Sequence, residues 1–191
     1  MKKIFFLILT IISVIFFSCK EKSIKKQTDQ GTINETEVEE KNNKSLIITE
    51  NSFLGLKIGD SINLKSKNIK KETQENGEGF FPGYVLLDDN GKKIAFIFPK
   101  HKTDNIIGRI EISAPNYKTK EGISIGSTYE DLKKYYPNLE THGSEIESRT
   151  NSRVGGLSFL LDTYFGTYEI DESKIKPSTK IKRISIRGTK N

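Results

Sequence analysis

The sequence predicts an α+β domain made of two tandem units, each a helix followed by antiparallel strands. A glycine-rich motif occurs twice, as Gly-Leu-Lys-Ile-Gly-Asp-Ser at 55–61 and as Gly-Ile-Ser-Ile-Gly-Ser-Thr at 122–128. Each copy precedes a segment with helical features and then runs of alternating apolar residues, which are typical of strands. We therefore expect repeat units at about 53–115 and 120–189, within a domain that spans 46–191.

The first 18 residues have the features of a signal peptide. Two lysines precede an apolar run at 4–17, in which only Thr10 and Ser13 are polar. A membrane-spanning helix needs about 20 apolar residues, so this run is too short to span a bilayer comfortably. We expect residues 1–18 to be removed during export.

Cys19, the only cysteine of the chain, directly follows Ser18 at the end of this run. The arrangement resembles the lipobox of bacterial lipoproteins, although Phe16 stands where that pattern prefers leucine. The resemblance implies lipid attachment at Cys19 and stable anchoring in the bilayer through two or more acyl chains. Lys20, in place of an aspartate, favours the outer membrane, on its periplasmic face or at the cell surface. The alternative is an ordinary signal peptide with a chance cysteine.

The segment 19–45 is rich in Lys, Glu, Thr, Asn and Gln and has very few large apolar residues. Such a segment cannot bury enough apolar area to offset the entropy lost on ordering. We predict a disordered tether that holds the domain away from the membrane. Residues 46–49 then form a short first strand, or mark the point where the tether meets the domain.

The first unit combines a weak helix signal with a strong hairpin signal. Asp60 or Ser61 is expected to cap a short helix after the first glycine motif. Apolar runs at 83–87 and 94–98 flank an Asn-Gly pair, which predicts a β-hairpin. The alternating residues 109–113 are expected to form the closing strand.

The second unit has the clearer helix signal. Ser127 is expected to cap the helix, with Glu130 as its capping-box partner, and Pro137 ends it. The apolar face of this helix would consist of Leu132, Tyr135 and Tyr136.

Three strands are expected to follow this helix. The first two, at 144–150 and 156–161, would be joined near Asn151 and Ser152. The alternating residues 183–187 then form the closing strand of the second unit.

The second half of the chain also carries a family resemblance. The apolar strand at 107–112, the motif at 122–128 and the basic-apolar residues 182–184 occur in a characteristic order. Over roughly 106–188 this order resembles the sigma-E-regulated envelope lipoprotein family, whose domain is of unknown function. The resemblance implies an envelope lipoprotein and supplies no catalytic residues.

No catalytic or metal-binding motif stands out in the sequence. His101 and His142 lie on polar segments without a second ligand at metal-binding spacing. Glu145 and Glu147 share one strand face, where paired carboxylates are more often solvated than catalytic. We therefore expect no catalytic residues, no metal and no cofactor.

The aromatic-acidic segment 162–171 is the best candidate for a recognition surface. Its aromatic residues are Tyr164, Phe165 and Tyr168. Aromatic side chains are favoured at interfaces when exposed, whereas core packing is the alternative interpretation. We hypothesise that these three residues bind a partner.

Together these features predict a membrane-anchored envelope module that is not an enzyme and that binds an envelope protein or another envelope component. The chain carries a formal net charge of +6, spread without the basic stripe typical of nucleic-acid binders, so no nucleic acid is expected as a partner. The alternative is an envelope hydrolase with an unrecognised site. A third reading is a structural or stress-response lipoprotein without a specific ligand.

Overall fold

The computed structural model describes residues 47–76, 79–101, 105–146 and 149–188. The predicted signal peptide, Cys19 and the predicted tether lie outside these ranges. Within them, no helix has the length and apolar character needed to cross a membrane.

The domain is mostly β, and the prediction of an α+β fold with two helix-plus-strand units is wrong. Among the described residues there is one α-helix, α1 at Tyr129–Tyr135, and it belongs to the second unit only. In the first unit, the residues after Ser61 lack apolar side chains at helical spacing. The side chain of Asn63 instead accepts a hydrogen bond from the N–H of Lys65, which favours a turn over a helix.

Twelve strands are found in the described part of the chain. In order they are β1 Ile47–Ile48, β2 Ser52–Phe53, β3 Leu56–Lys57, β4 Ile69–Asn76, β5 Gly79–Leu87, β6 Lys93–Pro99, β7 Ile107–Ile112, β8 Lys118–Thr119, β9 Glu140–His142, β10 Thr150–Val154, β11 Leu157–Leu161 and β12 Ile181–Ile186. A 3₁₀ turn at Glu172–Lys174 precedes β12.

Eight strands form one antiparallel sheet in the order β4-β5-β6-β7-β12-β11-β10-β9. The two predicted closing strands are confirmed as β7 and β12, and they pair with each other at the centre of this sheet. Ile110 lies opposite Ile186, and Ile112 lies opposite Ile184. The last described strand of the chain therefore occupies a central position.

The predicted hairpin in the first unit is confirmed as β5 and β6. Its turn is held by the side chain of Asp88, which accepts hydrogen bonds from the N–H groups of Asn90 at 3.0 Å and Lys92 at 2.8 Å. This is the usual way in which an aspartate stabilises a turn.

The hairpin of the second unit was predicted at the wrong position. Residues 151 and 152 lie inside β10, and the turn to β11 is formed by Gly155 and Gly156. Gly155 has a φ of +52°, which favours glycine. A Cβ atom at Gly156 would lie 2.1 Å from the carbonyl oxygen of Glu50, so only glycine fits this contact.

Helix α1 begins one residue later than predicted. Its cap is Thr128, whose Oγ1 accepts the N–H of Asp131 at 3.1 Å, while Asp131 Oδ2 accepts the N–H of Thr128 at 2.8 Å. The capping box is thus Thr128 and Asp131 instead of Ser127 and Glu130. Ser127 instead accepts the N–H of Ser124 in the preceding turn.

The hydrophobic core lies on one face of the eight-stranded sheet, which we call the core face. Ile97, Ile110, Ile184 and Phe159 point from it and are fully buried. They share one apolar cluster with residues of α1 and of a small sheet with the order β3-β2-β1-β8. These elements therefore cover the core face of the eight-stranded sheet.

Candidate functional site

Polar and charged side chains line the face of the sheet opposite the core face. Strand alternation directs Arg109 and Glu111 of β7 to this side, together with Arg183 and Ser185 of β12. We call it the arginine face. Its central residues come from two strands that are adjacent in space and about 70 positions apart in the sequence.

A buried carboxylate orients two of the arginines. Glu111 is only 6% exposed although its side chain leaves the core. Its Oε2 lies 3.0 Å from Nη1 of Arg183, and its Oε1 lies 3.6 Å from Nη2 of Arg109. Because a buried charge is stable only when paired, Glu111 and the two guanidinium groups form one unit.

An aromatic ring supports Arg109 from the other side. The guanidinium carbon of Arg109 lies 3.8 Å from the ring centroid of Phe98, which is cation–π geometry. Phe98 in turn contacts Phe96 edge-on, with 4.7 Å between ring centroids. Arg109 is therefore held between a carboxylate and an aromatic ring.

Positive charge dominates around this unit. Burial lowers the pKa of Arg109, Glu111 raises it, and the charges of Arg187, Arg183 and Arg149 lower it further. Arg109 and Arg183 share one carboxylate, Glu111, so this unit carries a net positive charge. The centre of the arginine face is suited to an anion.

Two hydroxyl groups lie beside these arginines. Ser158 of β11 and Ser185 of β12 are directly opposite each other and are 3% and 8% exposed. Within the described ranges, the two hydroxyls are not bonded to each other, and neither oxygen is a buried atom without a partner, so both stay accessible from the arginine face. We call Ser158 and Ser185 the serine pair.

Arginines surround the serine pair along and across the strands. Arg183 of β12 and Arg187, which directly follows this strand, flank Ser185 at two residues' distance, and Arg153 of β10 lies opposite Ser158. Arg183 also has a buried Nε that lacks a hydrogen-bond partner among the described residues. Hydroxyl and guanidinium donors at adjoining positions are the groups that bind oxyanions in proteins.

The three aromatics proposed from sequence lie in the loop between β11 and β12. Tyr164 and Tyr168 are exposed, whereas Phe165 is half-buried against the core. The ring of Tyr168 stacks on His142, with 4.8 Å between centroids. The three residues therefore divide between core packing and exposure, and their binding role stays a prediction.

Tyr168 is the one of the three that lies near the arginine face. With His142, Ile146 and Arg153 it lines a cavity of about 330 Å³ at the β9 edge of the sheet. Ile146 is almost fully exposed there. At this cavity the arginine face borders the exposed apolar side chain of Ile146.

A second cavity, of about 300 Å³, is lined by Glu50, Glu121 and Tyr136. The hydroxyl of Tyr136 donates to Glu121 Oε2 at 2.6 Å and lies 3.0 Å from the hydroxyl of Thr119. Burial, followed by the hydrogen bond to Glu121, raises the pKa of Tyr136, so the phenol stays protonated. Glu121 and Tyr136 therefore bind each other, whereas Glu50 accepts the N–H of Gly156 at 3.2 Å.

The other titratable residues singled out from the sequence are not brought together. His101 and Glu145 are exposed, and Glu147 lies outside the described residues. Asp162 is exposed and lies 3.2 Å from Nζ of Lys182. Within the described ranges, no group of three or more His, Cys, Asp or Glu residues is placed to hold a metal ion.

The arginine face was missed at the level of sequence. Its signal is the alternation Arg-Ile-Glu-Ile at 109–112 and Arg-Ile-Ser-Ile-Arg at 183–187. Both patterns were interpreted only as strands. Only the pairing of β7 with β12 shows that the polar residues of the two patterns lie side by side on one face.

Comparisons with known proteins agree with the fold and are silent on the site. The chain matches no family model and no curated protein. Its structure is similar to the crystal structure of the uncharacterised protein YfeY from Escherichia coli. The match has a TM-score of 0.50 and 13% sequence identity, and it covers 74% of this chain and 99% of that one. At this identity the likeness concerns the fold alone.

Proposed function

We propose that this protein is a lipid-anchored module of the bacterial envelope that binds an envelope partner through its arginine face and catalyses no reaction. The anchor is acylated Cys19, and the outer membrane is the favoured location. The proposal joins the N-terminal sequence pattern to the polar face of the sheet.

The observation that carries the binding role is the fixed arrangement of Arg109, Glu111 and Arg183. A buried carboxylate and the ring of Phe98 hold the guanidinium groups in place before any ligand arrives. Pre-organised side chains lose little entropy on binding, so such an arrangement favours recognition. That the protein catalyses no reaction stays a prediction, supported by the lack of a recognisable catalytic motif in the sequence.

The predicted tether fits this role. A flexible chain of the length of 19–45 has a root-mean-square span of roughly 30 Å. That span lets a sheet of this size turn its arginine face towards a partner in the same membrane or above it. A membrane anchor also keeps the module at a high local concentration.

The anchor is tested by metabolic labelling with an alkyne fatty acid in cells that express the full chain. We expect the wild-type protein to carry the label and to co-fractionate with the outer membrane. The Cys19→Ser variant should carry no label at an equal protein level. Persistence of the label in Cys19→Ser would show that another site is acylated and would refute the proposed anchor.

The binding role is tested with a photo-crosslinking amino acid placed at Leu160, which is half-buried on the arginine face. The matched control position is Lys134, which is exposed on α1 on the other side of the domain. We expect a discrete crosslinked species from position 160 in intact cells and none from position 134. Equal crosslinking from both positions, or none from position 160, would contradict the proposal.

A further inference from the structure

We infer that the serine pair and the arginines around it form a binding site for a phosphate group. This inference rests on the proposed function and deepens it, because it names the ligand chemistry at the arginine face. The phosphate would belong either to a lipid headgroup or to a soluble molecule of the envelope.

The hydroxyl groups supply the first argument. Ser158 and Ser185 are almost fully buried as residues, whereas their hydroxyl oxygens stay accessible from the arginine face. By contrast, the hydroxyls of Thr141 and Ser152, on neighbouring strands of the same sheet, lie 2.9 Å apart and bind each other. The serine pair lacks such a bond, so its two donors suit the oxygen atoms of a ligand.

The charge around the pair supplies the second argument. Guanidinium groups bind phosphate through parallel N–H···O hydrogen bonds, and a phosphate monoester carries close to two negative charges at neutral pH. Arg183 directs Nη1 to Glu111 at 3.0 Å, and its Nε has no partner among the described residues. With Arg153 beside the serines, three guanidinium groups (Arg109, Arg153 and Arg183) lie around one carboxylate, Glu111, and this excess of positive charge matches a dianion better than a single carboxylate.

The position of Glu111 supplies the third argument. This carboxylate lies opposite Ser185, next to the pair, and it neutralises part of the charge of Arg109 and Arg183. It holds the like-charged guanidinium groups together, which would otherwise repel one another. A phosphate can then bind without a large rearrangement.

The inference is tested by isothermal titration of inorganic phosphate into the full-length protein in a non-ionic detergent at constant ionic strength. We expect saturable binding, with a dissociation constant between the micromolar and the millimolar range. Arg183→Gln should weaken it at least about tenfold, because hydrogen bonds to charged groups contribute 1.5–3 kcal/mol. The double variant Ser158→Ala, Ser185→Ala should weaken it about three- to tenfold.

The matched control is Lys182→Gln. It removes the same charge from the adjacent residue, which pairs with Asp162 at 3.2 Å outside the site. We expect a change of less than about twofold from this variant. Arg153→Gln provides a second site variant that changes an exposed side chain, should Arg183→Gln fail to fold.

Three outcomes would overturn the inference: no saturable phosphate binding, equal weakening by Lys182→Gln and Arg183→Gln, or acetate binding as tight as phosphate binding. Adding phosphatidic acid to the micelles identifies the source of the phosphate. If the apparent dissociation constant for inorganic phosphate is higher in micelles with phosphatidic acid than in micelles with phosphatidylcholine, the lipid headgroup reaches the site. If it is not, the ligand is a soluble phosphate.

This experiment also separates the inference from the proposed function. Crosslinking from position 160 without phosphate binding would refute the phosphate site and leave the binding module in place. Loss of both signals would refute the two proposals together.

Discussion

The two faces of the eight-stranded sheet are built from the same strands but serve different purposes. On β12, Ile184 and Ile186 enter the core and are fully buried, while Arg183 and Ser185 alternate with them on the arginine face. The buried residues of the core face are mostly apolar, with exceptions such as Thr141 and Ser152, whereas those of the arginine face include a carboxylate and two serines. The difference indicates that stability comes mainly from the core face, which leaves the arginine face for the proposed binding role.

The alternation of side chains makes the two faces separable by mutation. Consecutive residues of a strand point to opposite sides, so a change on one face leaves the packing of the other largely intact. Variants can therefore test whether stability and ligand binding reside on different faces.

The largest expected effect is on the core face. Phe159 is fully buried there, and Phe159→Ala should lower the free energy of unfolding by about 3–5 kcal/mol because it leaves a cavity. Urea unfolding followed by circular dichroism measures this change. The neighbouring Leu160→Ala, on the arginine face, should cost about 1 kcal/mol. Equal losses for the two variants would mean that the two faces contribute equally.

The next effect concerns the buried carboxylate of the arginine face. Glu111→Gln should lower the free energy of unfolding by about 2 kcal/mol, because two guanidinium groups lose their shared counter-charge. The partial exposure of both arginines keeps the loss below that of a fully buried ion pair.

The control for this variant is Glu72→Gln on the edge strand β4. Glu72 pairs with Lys93, but both side chains are substantially exposed, so the loss should stay below about 1 kcal/mol. Urea midpoints of the two variants are compared at the same ionic strength. A stabilised Glu111→Gln variant would show that Glu111 destabilises the fold.

A smaller effect is expected from the layer that covers the core face. Thr128→Ala removes the cap of α1 and should cost about 1 kcal/mol of stability. Because this residue lies away from the arginine face, phosphate affinity should not change. A weaker phosphate affinity in folded Thr128→Ala would show that the two faces are coupled.

The smallest expected effect is a pH dependence from the same cap. The backbone N–H of Thr128, followed by its hydroxyl, holds the pKa of Asp131 below its usual value of about 3.9. The stabilisation from this lowered pKa is therefore complete above about pH 4 and is lost as the pH falls through the folded-state value. In Asp131→Asn, the free energy of unfolding lost below pH 4 should be smaller than in the wild type, by less than about 1 kcal/mol. An unchanged acid profile would mean that other carboxylates account for the decline.

Local features of the fold could be predicted from sequence. The hairpin of β5 and β6 follows from its Asn-Gly turn, and α1 follows from its capping residues and Leu132, with an error of one position at the cap. The first unit was assigned a helix by analogy with the second, although the turn at Asn63 opposes it. The glycine motif therefore occurs twice, but only its second copy is followed by an α-helix among the described residues.

Long-range features could not be predicted in this way. The register that places Glu111 opposite Ser185 depends on the packing of the whole sheet, and no local pattern encodes it. For that reason the sequence shows the two alternating patterns of the arginine face but not that they lie side by side. The aromatic loop was easier to notice because Tyr164, Phe165 and Tyr168 are close together in the chain.

The central position of β12 in the sheet has a consequence for how the domain folds. Until residues 181–186 have been synthesised, β7 and β11 lack the neighbour that joins the two halves of the sheet. Pairing over such a sequence separation is slow, which delays closure of the sheet until nearly the whole chain is available. The export that the predicted signal peptide implies would benefit from this delay. The phosphate site is completed by the same strand, so binding competence appears only when the sheet is whole.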